Sequence, residues 1–211
     1  MPDSPDVAER YATAINTSNL RVEADRGSSA DVLIAAAWSP QRFGAELLRL
    51  HSEWDGCAKP KKVAQEAITV FARTMQGKTE MEKRQKAQNI ADSWHAHELS
   101  LLFSRLKTMP RVREQAILKL LDWNVPDAAH IGPSVLLYWL NPICRSCNGL
   151  KFLKTKDAPS LSAKVCKPCG GSGFARLNGE SAQRFETYLN TCLARARTSI
   201  RSNLQRTRKA E

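Results

Sequence analysis

The sequence predicts a mainly α-helical protein with a helical body, an inserted four-cysteine module built from two knuckles, and a basic C-terminal helix. Three observations support this fold class. Apolar residues recur at helical spacing along most of the 211 residues, and two CxxC pairs stand close together. Outside the cysteine region, no β-branched run alternates with a period of two.

The first 143 residues divide into a polar start and a helical body. Residues 1–27 are weakly patterned, so we expect a mobile segment with one short helix near "PDVAERYATAI". Residues 28–143 form the predicted helical body, in which Ser39 and Pro40 indicate the start of one helix. The apolar positions that fit one face of that helix are Leu47, Leu48, Leu50 and Trp54.

Two further helices are indicated between Pro60 and Pro110. The second of them starts at the capping box "TEME", Thr79 to Glu82. The five tryptophans mostly lie in apolar helical patterns, so we expect them in the core. Residues 111–140 are consistent with two helices around a turn, arranged as a core hairpin or as a helix-turn-helix. The first helix has apolar residues at four-residue spacing, namely Val63, Ala67, Phe71 and Met75.

The motif that carries chemistry is a set of four cysteines, C-x2-C-x18-C-x2-C, within residues 144–176. Each pair places two sulfurs in one tight turn, and two such turns supply the four thiolates that Zn²⁺ binds tetrahedrally. Glycines follow each pair, and Gly149, Gly171 and Gly173 are expected to adopt the positive φ that these turns need. The predicted ligands of one structural Zn²⁺ are Cys144, Cys147, Cys166 and Cys169.

Disulfides, an iron–sulfur cluster and unliganded thiols are alternatives for this cysteine set. The N-terminus lacks the apolar core of a secretory signal, so we expect a reducing cytosol, which disfavours disulfides. The symmetry of the two knuckles favours zinc over iron–sulfur. Four protein ligands leave no position for a reactive water, so the ion is expected to be structural. Cys57 and Cys192 are expected to be free thiols, with Cys192 in an apolar helix stripe.

Positive charge is concentrated in the last third of the chain. The net charge is +11, and residues 144–211 carry 14 Lys and Arg against four Asp and Glu, whereas residues 1–143 carry 18 against 17. Such a local excess is typical of a surface that binds a polyanion. Residues 177–211 form the predicted basic amphipathic helix. The candidate DNA-binding residues are Arg145, Lys151, Lys154, Lys156, Lys164, Lys167, Arg176, Arg184, Arg195, Arg197 and Arg201.

No catalytic constellation is visible in the sequence, so we do not expect an enzyme. The stretch "QGKT", Gln76 to Thr79, lacks the first glycine of a phosphate-binding loop. The stretch "HAHE", His95 to Glu98, puts its two histidines on different faces of a helix. No run approaches the roughly 18 apolar residues of a membrane span, so no membrane partner is expected.

The stretches "CRSCNGLKF" and "CKPCGGSGFARL", with "SSADVLIAAAWSPQRFGAELL" upstream, resemble the lambda-type late-gene antitermination Q proteins of bacteriophages. The resemblance covers residues 28–204, and these stretches are its specific part. After Cys147 the second glycine of the family's knuckle pattern is missing, because Lys151 stands there. This departure leaves the ligands in place and is expected to alter that turn.

The resemblance implies a transcription antitermination factor in the cytoplasm of a bacterial host. Such proteins bind double-stranded DNA within a phage late promoter, join the host RNA polymerase during a sigma-dependent pause, and give terminator readthrough. The basic zinc half would bind DNA, and the helical half would serve polymerase. One alternative is another zinc-stabilised DNA- or RNA-binding regulator. Another is a DnaJ-like zinc module that binds protein clients, although the His-Pro-Asp motif and the further knuckles of that family are absent.

Overall fold

The structure is a computed structural model that describes residues 6–17, 29–40, 42–144, 146–154 and 161–210. Within these ranges the chain is mainly helical, as predicted, with one antiparallel pair of short strands. The elements in chain order are α1 (Val7–Asn16), α2 (Ser29–Ala37), α3 (Arg42–Gly56), α4 (Gln65–Arg73), α5 (Glu80–Arg105), α6 (Met109–Asp122), α7 (Ala128–Leu140), β1 (Phe152–Lys154), β2 (Leu161–Val165) and α8 (Glu180–Ala210).

The chain divides into two compact units, and the division differs from the boundaries expected from the sequence. The smaller unit is Glu53–Met109, and the larger one combines Met1–Ser52 with Pro110–Glu211. The expected helical body, residues 28–143, is therefore not one unit. Its central part packs on itself, while its two ends belong with the cysteine module and α8. The reason is that the long apolar stripe of α8 is covered by helices from both ends of the body, α2 and α7 among them.

The larger unit is organised around α8, whose apolar stripe is buried as the sequence predicts. Helices α1, α2 and α7 pack against α8. Helix α3 also approaches it closely, because a Cβ at Gly44 would overlap the carbonyl oxygen of Cys192. Only glycine fits this crossing without moving a helix. The buried stripe consists of Phe185, Leu189, Cys192, Leu193, Ala196, Ile200 and Leu204.

Helix α1 lies within the segment that the sequence assigns to a mobile start. The expected short helix is present, and the Asp6 side chain caps it by accepting a 2.7 Å hydrogen bond from the first N–H. Tyr11 and Ala14 are buried, and α1 packs against α2 and α8. Residues 7–16 therefore belong to the core, because their apolar face is covered by other helices. Most of the remaining segment lies outside the described residues.

Helices α6 and α7 account for most of residues 111–140, and they favour the core hairpin over the helix-turn-helix. Helix α7 contains no Lys or Arg, and Gly132 on its surface packs against Leu120 of α6. A helix that enters a DNA groove presents a polar face to it. The exposed side chains of helix α7 are limited to Ala129, His130 and Ser134, none of which is charged like Lys or Arg, and the rest of the helix is buried or half-buried, as in a core helix.

The predicted capping box opens α5 in the smaller unit. The Thr79 side chain accepts a 3.1 Å hydrogen bond from the Glu82 N–H. The Glu82 carboxylate accepts a 3.0 Å hydrogen bond from the Lys78 N–H, one residue further out than in the usual reciprocal pair. The start of this helix is therefore fixed by local hydrogen bonds among residues 78–82, about one turn of the chain.

Helix α4 packs against α5 through Ile68, Ala72 and Ala87. The row expected from four-residue spacing is only partly inward, because Phe71 is 41% exposed whereas its neighbour Ala72 is buried. Both rows of α4 are apolar, so the sequence pattern does not distinguish them. The position of α5 decides which row is covered.

Helix α5 changes its buried face along its length. Near its start Ala87 faces α4, whereas near its end Phe103 lies on nearly the opposite side and stacks on Trp54 with 4.9 Å between ring centroids. Between them, Trp94 is 58% exposed, and in the larger unit Trp38 is 80% exposed. The expected core position is confirmed for Trp54 and is wrong for Trp38 and Trp94, whose side chains the described part of the chain leaves largely uncovered.

Candidate metal centre and cationic surface

The four cysteines of the module come together as the sequence predicts. Their Sγ atoms all lie within 4.8 Å of one another, and each side chain is at most 5% exposed. Cys144 and Cys147 come from the turn that follows α7, and Cys166 and Cys169 from the turn that follows β2. Among the described residues, this is the one group of three or more ligating side chains with the spacing that a metal ion requires.

The sulfur spacing matches a tetrahedral metal site. Cys144 Sγ lies 3.9 Å from Cys166 Sγ, and Cys147 Sγ lies 3.7 Å from Cys169 Sγ. Four sulfurs around one ion at the usual zinc–sulfur bond length of about 2.3 Å would be separated by about 3.8 Å. A disulfide bond would bring two sulfurs to about 2.05 Å, and all six cysteines are free. The cluster is thus a set of four thiols that can hold one metal ion.

Each knuckle is a tight turn that hydrogen bonds to the other. The Cys144 N–H donates to the Gly173 carbonyl, and the Cys166 N–H donates to the Lys151 carbonyl, each at 2.9 Å. Gly173 has φ 83°, and a Cβ there would lie 2.9 Å from the carbonyl oxygen of Gly149. Glycine is therefore needed at this position both for the backbone angle and for the close approach of the two knuckles. The expected positive φ is also found at Gly149 and Gly171, each at 81°.

The first knuckle keeps the backbone of the second although one of its glycines is replaced. Lys151 stands where the second knuckle has Gly173, and its φ is 68°, also in the left-handed region. The expectation that the replacement alters this turn is therefore wrong for the backbone. The hydrogen bonds between the knuckles impose the left-handed angle on a residue with a Cβ, at a cost of roughly 1–2 kcal/mol.

Burial and backbone hydrogen bonds act in opposite directions on the ionisation of the cluster. Burial raises the pKa of Cys166 to about 12. Burial also opposes ionisation of Cys169, but hydrogen bonds from the Gly173 N–H, the Cys166 thiol and the Gly171 N–H outweigh it and lower that pKa to about 6. The second knuckle therefore stabilises a thiolate, which is the form of cysteine that binds metal.

A ten-residue repeat underlies the two knuckles. Residues 143–152 and 165–174 share an aliphatic residue, a CxxC pair, a glycine and a final phenylalanine at equivalent positions. The apolar side chains at the two ends of each repeat form an exposed surface, which the cysteine spacing alone does not predict. The recurrence of phenylalanine five residues after each second cysteine is the sequence signal that would have found it. The ends of the repeats pair crosswise, and all four side chains are exposed: Phe152 with Val165, and Ile143 with Phe174.

Cations are exposed on the module wherever the structure describes them. The guanidinium of Arg176 lies over Gly170, so close that a Cβ at that glycine would overlap it. This contact places one cation beside the turn that carries Cys169. The exposed cations of the module are Lys151, Lys164, Lys167 and Arg176. Outside the described part of the chain lie Arg145, Lys156 and the side chain of Lys154.

The arginines of α8 form two rows rather than one face. Arg184, Arg195 and Arg206 recur every 11 residues, close to three full turns, so they share one side of the helix and all are exposed. We call these three residues the arginine row. Arg197 and Arg201 lie on the other flank of the buried stripe. Arg206 is absent from the predicted set, and its 11-residue spacing from Arg195 is the signal that finds it.

The two flanks of α8 have different surroundings. On one flank, the guanidinium carbon of Arg184 lies 4.2 Å from the ring centroid of Trp123, a cation–π contact that orients it. On the other flank, Arg197 is half-buried, and Arg201 lies 4.0 Å from a carboxylate oxygen of Asp6, at the start of α1. The arginine row is therefore the more accessible of the two cationic surfaces of this helix.

No family model, curated protein or solved structure matches this chain. The resemblance to the antitermination proteins therefore depends on the quoted motifs alone.

Of the two cysteines outside the cluster, Cys192 is buried in the stripe of α8 as predicted, and Cys57 is half-buried. No described helix has both the length and the apolar character that crossing a membrane requires.

Proposed function

We propose that the protein is a zinc-stabilised factor that binds double-stranded DNA and acts in transcription antitermination of phage late genes. The observation that carries the proposal is a buried four-thiol cluster in the part of the chain where the positive charge is concentrated. Metal binding would hold the two knuckles together and present their cations in a fixed arrangement. In this proposal the protein acts by binding and needs no catalytic residue.

The ion proposed for the cluster is one structural Zn²⁺. The d electrons of Zn²⁺ impose no geometry, so the packing of four ligands around the ion gives a tetrahedral site. Closed sets of four thiolates are typical of structural zinc sites. An iron–sulfur cluster would place several ions between the cysteines and so hold the sulfurs further apart than 4.8 Å. The short spacing of all four sulfurs therefore favours a single ion.

The arginine row supports the assignment to duplex DNA. From Arg184 to Arg206 the helix rises about 33 Å at 1.5 Å per residue, close to the 34–36 Å of about one turn of duplex. After Glu186 no acidic residue follows within α8. Each phosphate that the row neutralises releases counterions, so affinity for DNA falls steeply with salt.

RNA polymerase with its sigma factor is the proposed protein partner, and the smaller unit is the part of the chain assigned to it. Ile90, Trp94 and Leu101 lie on one side of α5, and all three are exposed. Large apolar side chains that share one exposed face are typical of a protein-binding surface. The polymerase assignment follows from the resemblance, which also places the protein in the cytoplasm of a bacterial host.

Terminator readthrough in a defined transcription reaction tests the proposal. Purified bacterial RNA polymerase holoenzyme transcribes templates that join a panel of lambda-type phage late promoters to a downstream terminator. We expect the zinc-loaded protein to increase readthrough on at least one promoter, and we expect the metal-free protein to have no effect. Absence of readthrough across the panel, with protein that contains zinc and binds DNA, would exclude antitermination but leave DNA binding intact.

Single substitutions test the assignment of DNA to the arginine row. Arg195→Ala should weaken duplex binding and lower the slope of log affinity against log salt by about 0.9, the contribution of one phosphate contact. Arg201→Ala removes the same charge from the other flank of α8 and is the matched control, with little expected change. Equal losses in the two variants would show that only net charge matters and that the row has no special role.

A second candidate function is the binding of unfolded protein, favoured by the exposed phenylalanines of the knuckles. This function predicts affinity for denatured protein clients with little dependence on salt, because the contacts would be apolar. Steeply salt-dependent binding of DNA, together with no affinity for a denatured client, would exclude it.

A further inference from the structure

Two phenylalanine side chains of the knuckles have no role in the core. Phe152 is 38% exposed and Phe174 is 54% exposed, although each follows a metal-ligating cysteine by only five residues. Each phenylalanine pairs across the two knuckles with an aliphatic residue, Phe152 with Val165 and Phe174 with Ile143, and such cross-strand neighbours lie close enough to interact. The knuckles thus hold two aromatic rings at defined positions in contact with solvent.

The charged side chains next to these rings are all positive. Lys151 precedes Phe152 in the chain, and Arg176 follows Phe174 by two residues; both are exposed. No acidic side chain occurs among the described residues from 142 to 179. Rings placed among cations suit a ligand in which planar bases alternate with phosphates.

We propose that the knuckle pair binds single-stranded nucleic acid, with Phe152 and Phe174 each stacking on one unpaired base. The two rings occupy equivalent positions of the repeat, so the module offers two stacking sites. In a duplex the faces of the bases are covered by the neighbouring base pairs, so a ring reaches them only where the strands are separated. The site is distinct from the arginine row and does not depend on the antitermination proposal.

Charge argues against two other partners for the exposed rings of Phe152 and Phe174, namely a second copy of the chain and an apolar peptide. A second copy of the chain, with net charge +11, would bring like-charged surfaces together, and this repulsion opposes association. An apolar peptide would cover the rings but leave Lys151, Lys164 and Arg176 without partners. A polynucleotide strand satisfies both features, because its phosphates pair with the cations while its bases stack on the rings.

Fluorescence anisotropy with the full-length, zinc-loaded protein tests the proposal. The probes are labelled oligothymidine and oligouridine of about 15 nucleotides, within the range of single-strand site sizes, and a labelled duplex. We expect Phe152→Ala and Phe174→Ala each to weaken binding of the single strands about five- to 100-fold, with duplex affinity unchanged. Phe71→Ala removes a similarly exposed phenylalanine from α4 and should have no effect.

Conservative variants distinguish stacking from a structural role of the rings. Phe152→Tyr and Phe174→Tyr keep the aromatic face and should keep wild-type affinity, whereas the corresponding changes to Leu keep the apolar volume and should lose it. Zinc content, measured for every variant, reports whether the knuckles remain folded. Comparison of the two probes identifies DNA or RNA as the bound strand.

Three results would overturn the proposal. They are single-strand binding that survives the Ala variants, full affinity of the Leu variants, and displacement of the single strand by denatured protein at the same site. Arg195→Ala separates this proposal from the proposed function. If it weakens duplex binding while oligothymidine still binds, the two surfaces act independently, and failure of one leaves the other intact.

Discussion

The cysteine module and the smaller helical unit are held together in different ways. In the module, the buried cluster is the set of four sulfurs, and the regular structure among its described residues is limited to two short strands. In the smaller unit, α4 and α5 bury an apolar face through Ile68, Ala72 and Ala87. With the proposed ion bound, ligation would order a segment that has few apolar residues for a core of its own, whereas the helix pair depends on burial of apolar side chains.

The largest expected effect is the loss of the metal ion from the module. Chelation, or Cys166→Ser, should unfold the knuckles, because binding in structural zinc sites contributes on the order of 10–16 kcal/mol. The smaller unit should stay helical. Native mass spectrometry measures the bound ion, and alkylation of thiols with limited proteolysis reports the unfolding.

Cys57→Ser is the matched control for this prediction, because Cys57 is half-buried and lies outside the cluster. It should retain the ion and the protease resistance of the module. A metal-free protein whose knuckle thiols still resist alkylation would show that the module has a source of order other than the ion, and the contrast between the two regions would fail.

The next largest effect is expected from the apolar face of the smaller unit. Ile68→Ala should lower the free energy of unfolding of this unit by about 2–5 kcal/mol, because it leaves a cavity between α4 and α5. The metal content should not change. Denaturant unfolding followed by tryptophan fluorescence measures the effect. Val70→Ala, an exposed position on the same helix, is the control and should change little; a similar loss in both variants would contradict the assignment of the buried face.

A smaller effect is expected at Lys151, where the knuckle imposes a left-handed backbone on a residue with a Cβ. Lys151→Gly should strengthen metal retention by about 1 kcal/mol by relieving this strain. The measurement is competition with a chelator of known affinity. Lys164→Gly removes the same charge from β2 without relieving a positive φ, so it should not strengthen retention. Tighter metal binding in both variants would indicate that charge, not strain, is the cause.

The smallest effect is expected at the capping box of α5. Hydrogen bonds from the Lys86 side chain and the Lys78 N–H hold the pKa of Glu82 below its ordinary value of 4.5. Because folding lowers this pKa, the ionised Glu82 carboxylate stabilises the helix fully above pH 4.5. This contribution is lost as the pH falls through the lowered pKa and the carboxylate is protonated. The protection of the amide groups at the start of α5 against hydrogen exchange, relative to the intrinsic rate at each pH, should therefore fall in that range. Glu82→Gln should reduce this pH dependence and leave the part due to Glu80, whose pKa is also lowered, mainly by the hydrogen bond from Lys83.

The candidate site was more predictable from the sequence than the packing of the helices. Cys144 and Cys166 were assigned from spacing alone, because two tight turns around one ion leave few arrangements for their sulfurs. The apolar rows of α4 were not distinguished, since Ala67 and Ile68 are both apolar and only the position of α5 separates them. The arginines of α8 lie between these cases: periodicity indicates two rows, but only the packing shows that Arg197 is half-buried and that Arg201 lies beside Asp6.

The helical class, the four-cysteine cluster, the capping of α5 and the concentration of positive charge all follow from the sequence, because each depends on residues close together in the chain or on local chemistry. Only the folded structure shows that residues 53–109 form a separate unit, that Trp94 is exposed while Trp54 is buried, and that Phe152 and Phe174 face solvent. These outcomes depend on which surface of each element is covered by another, and that is set by contacts between residues far apart in the chain.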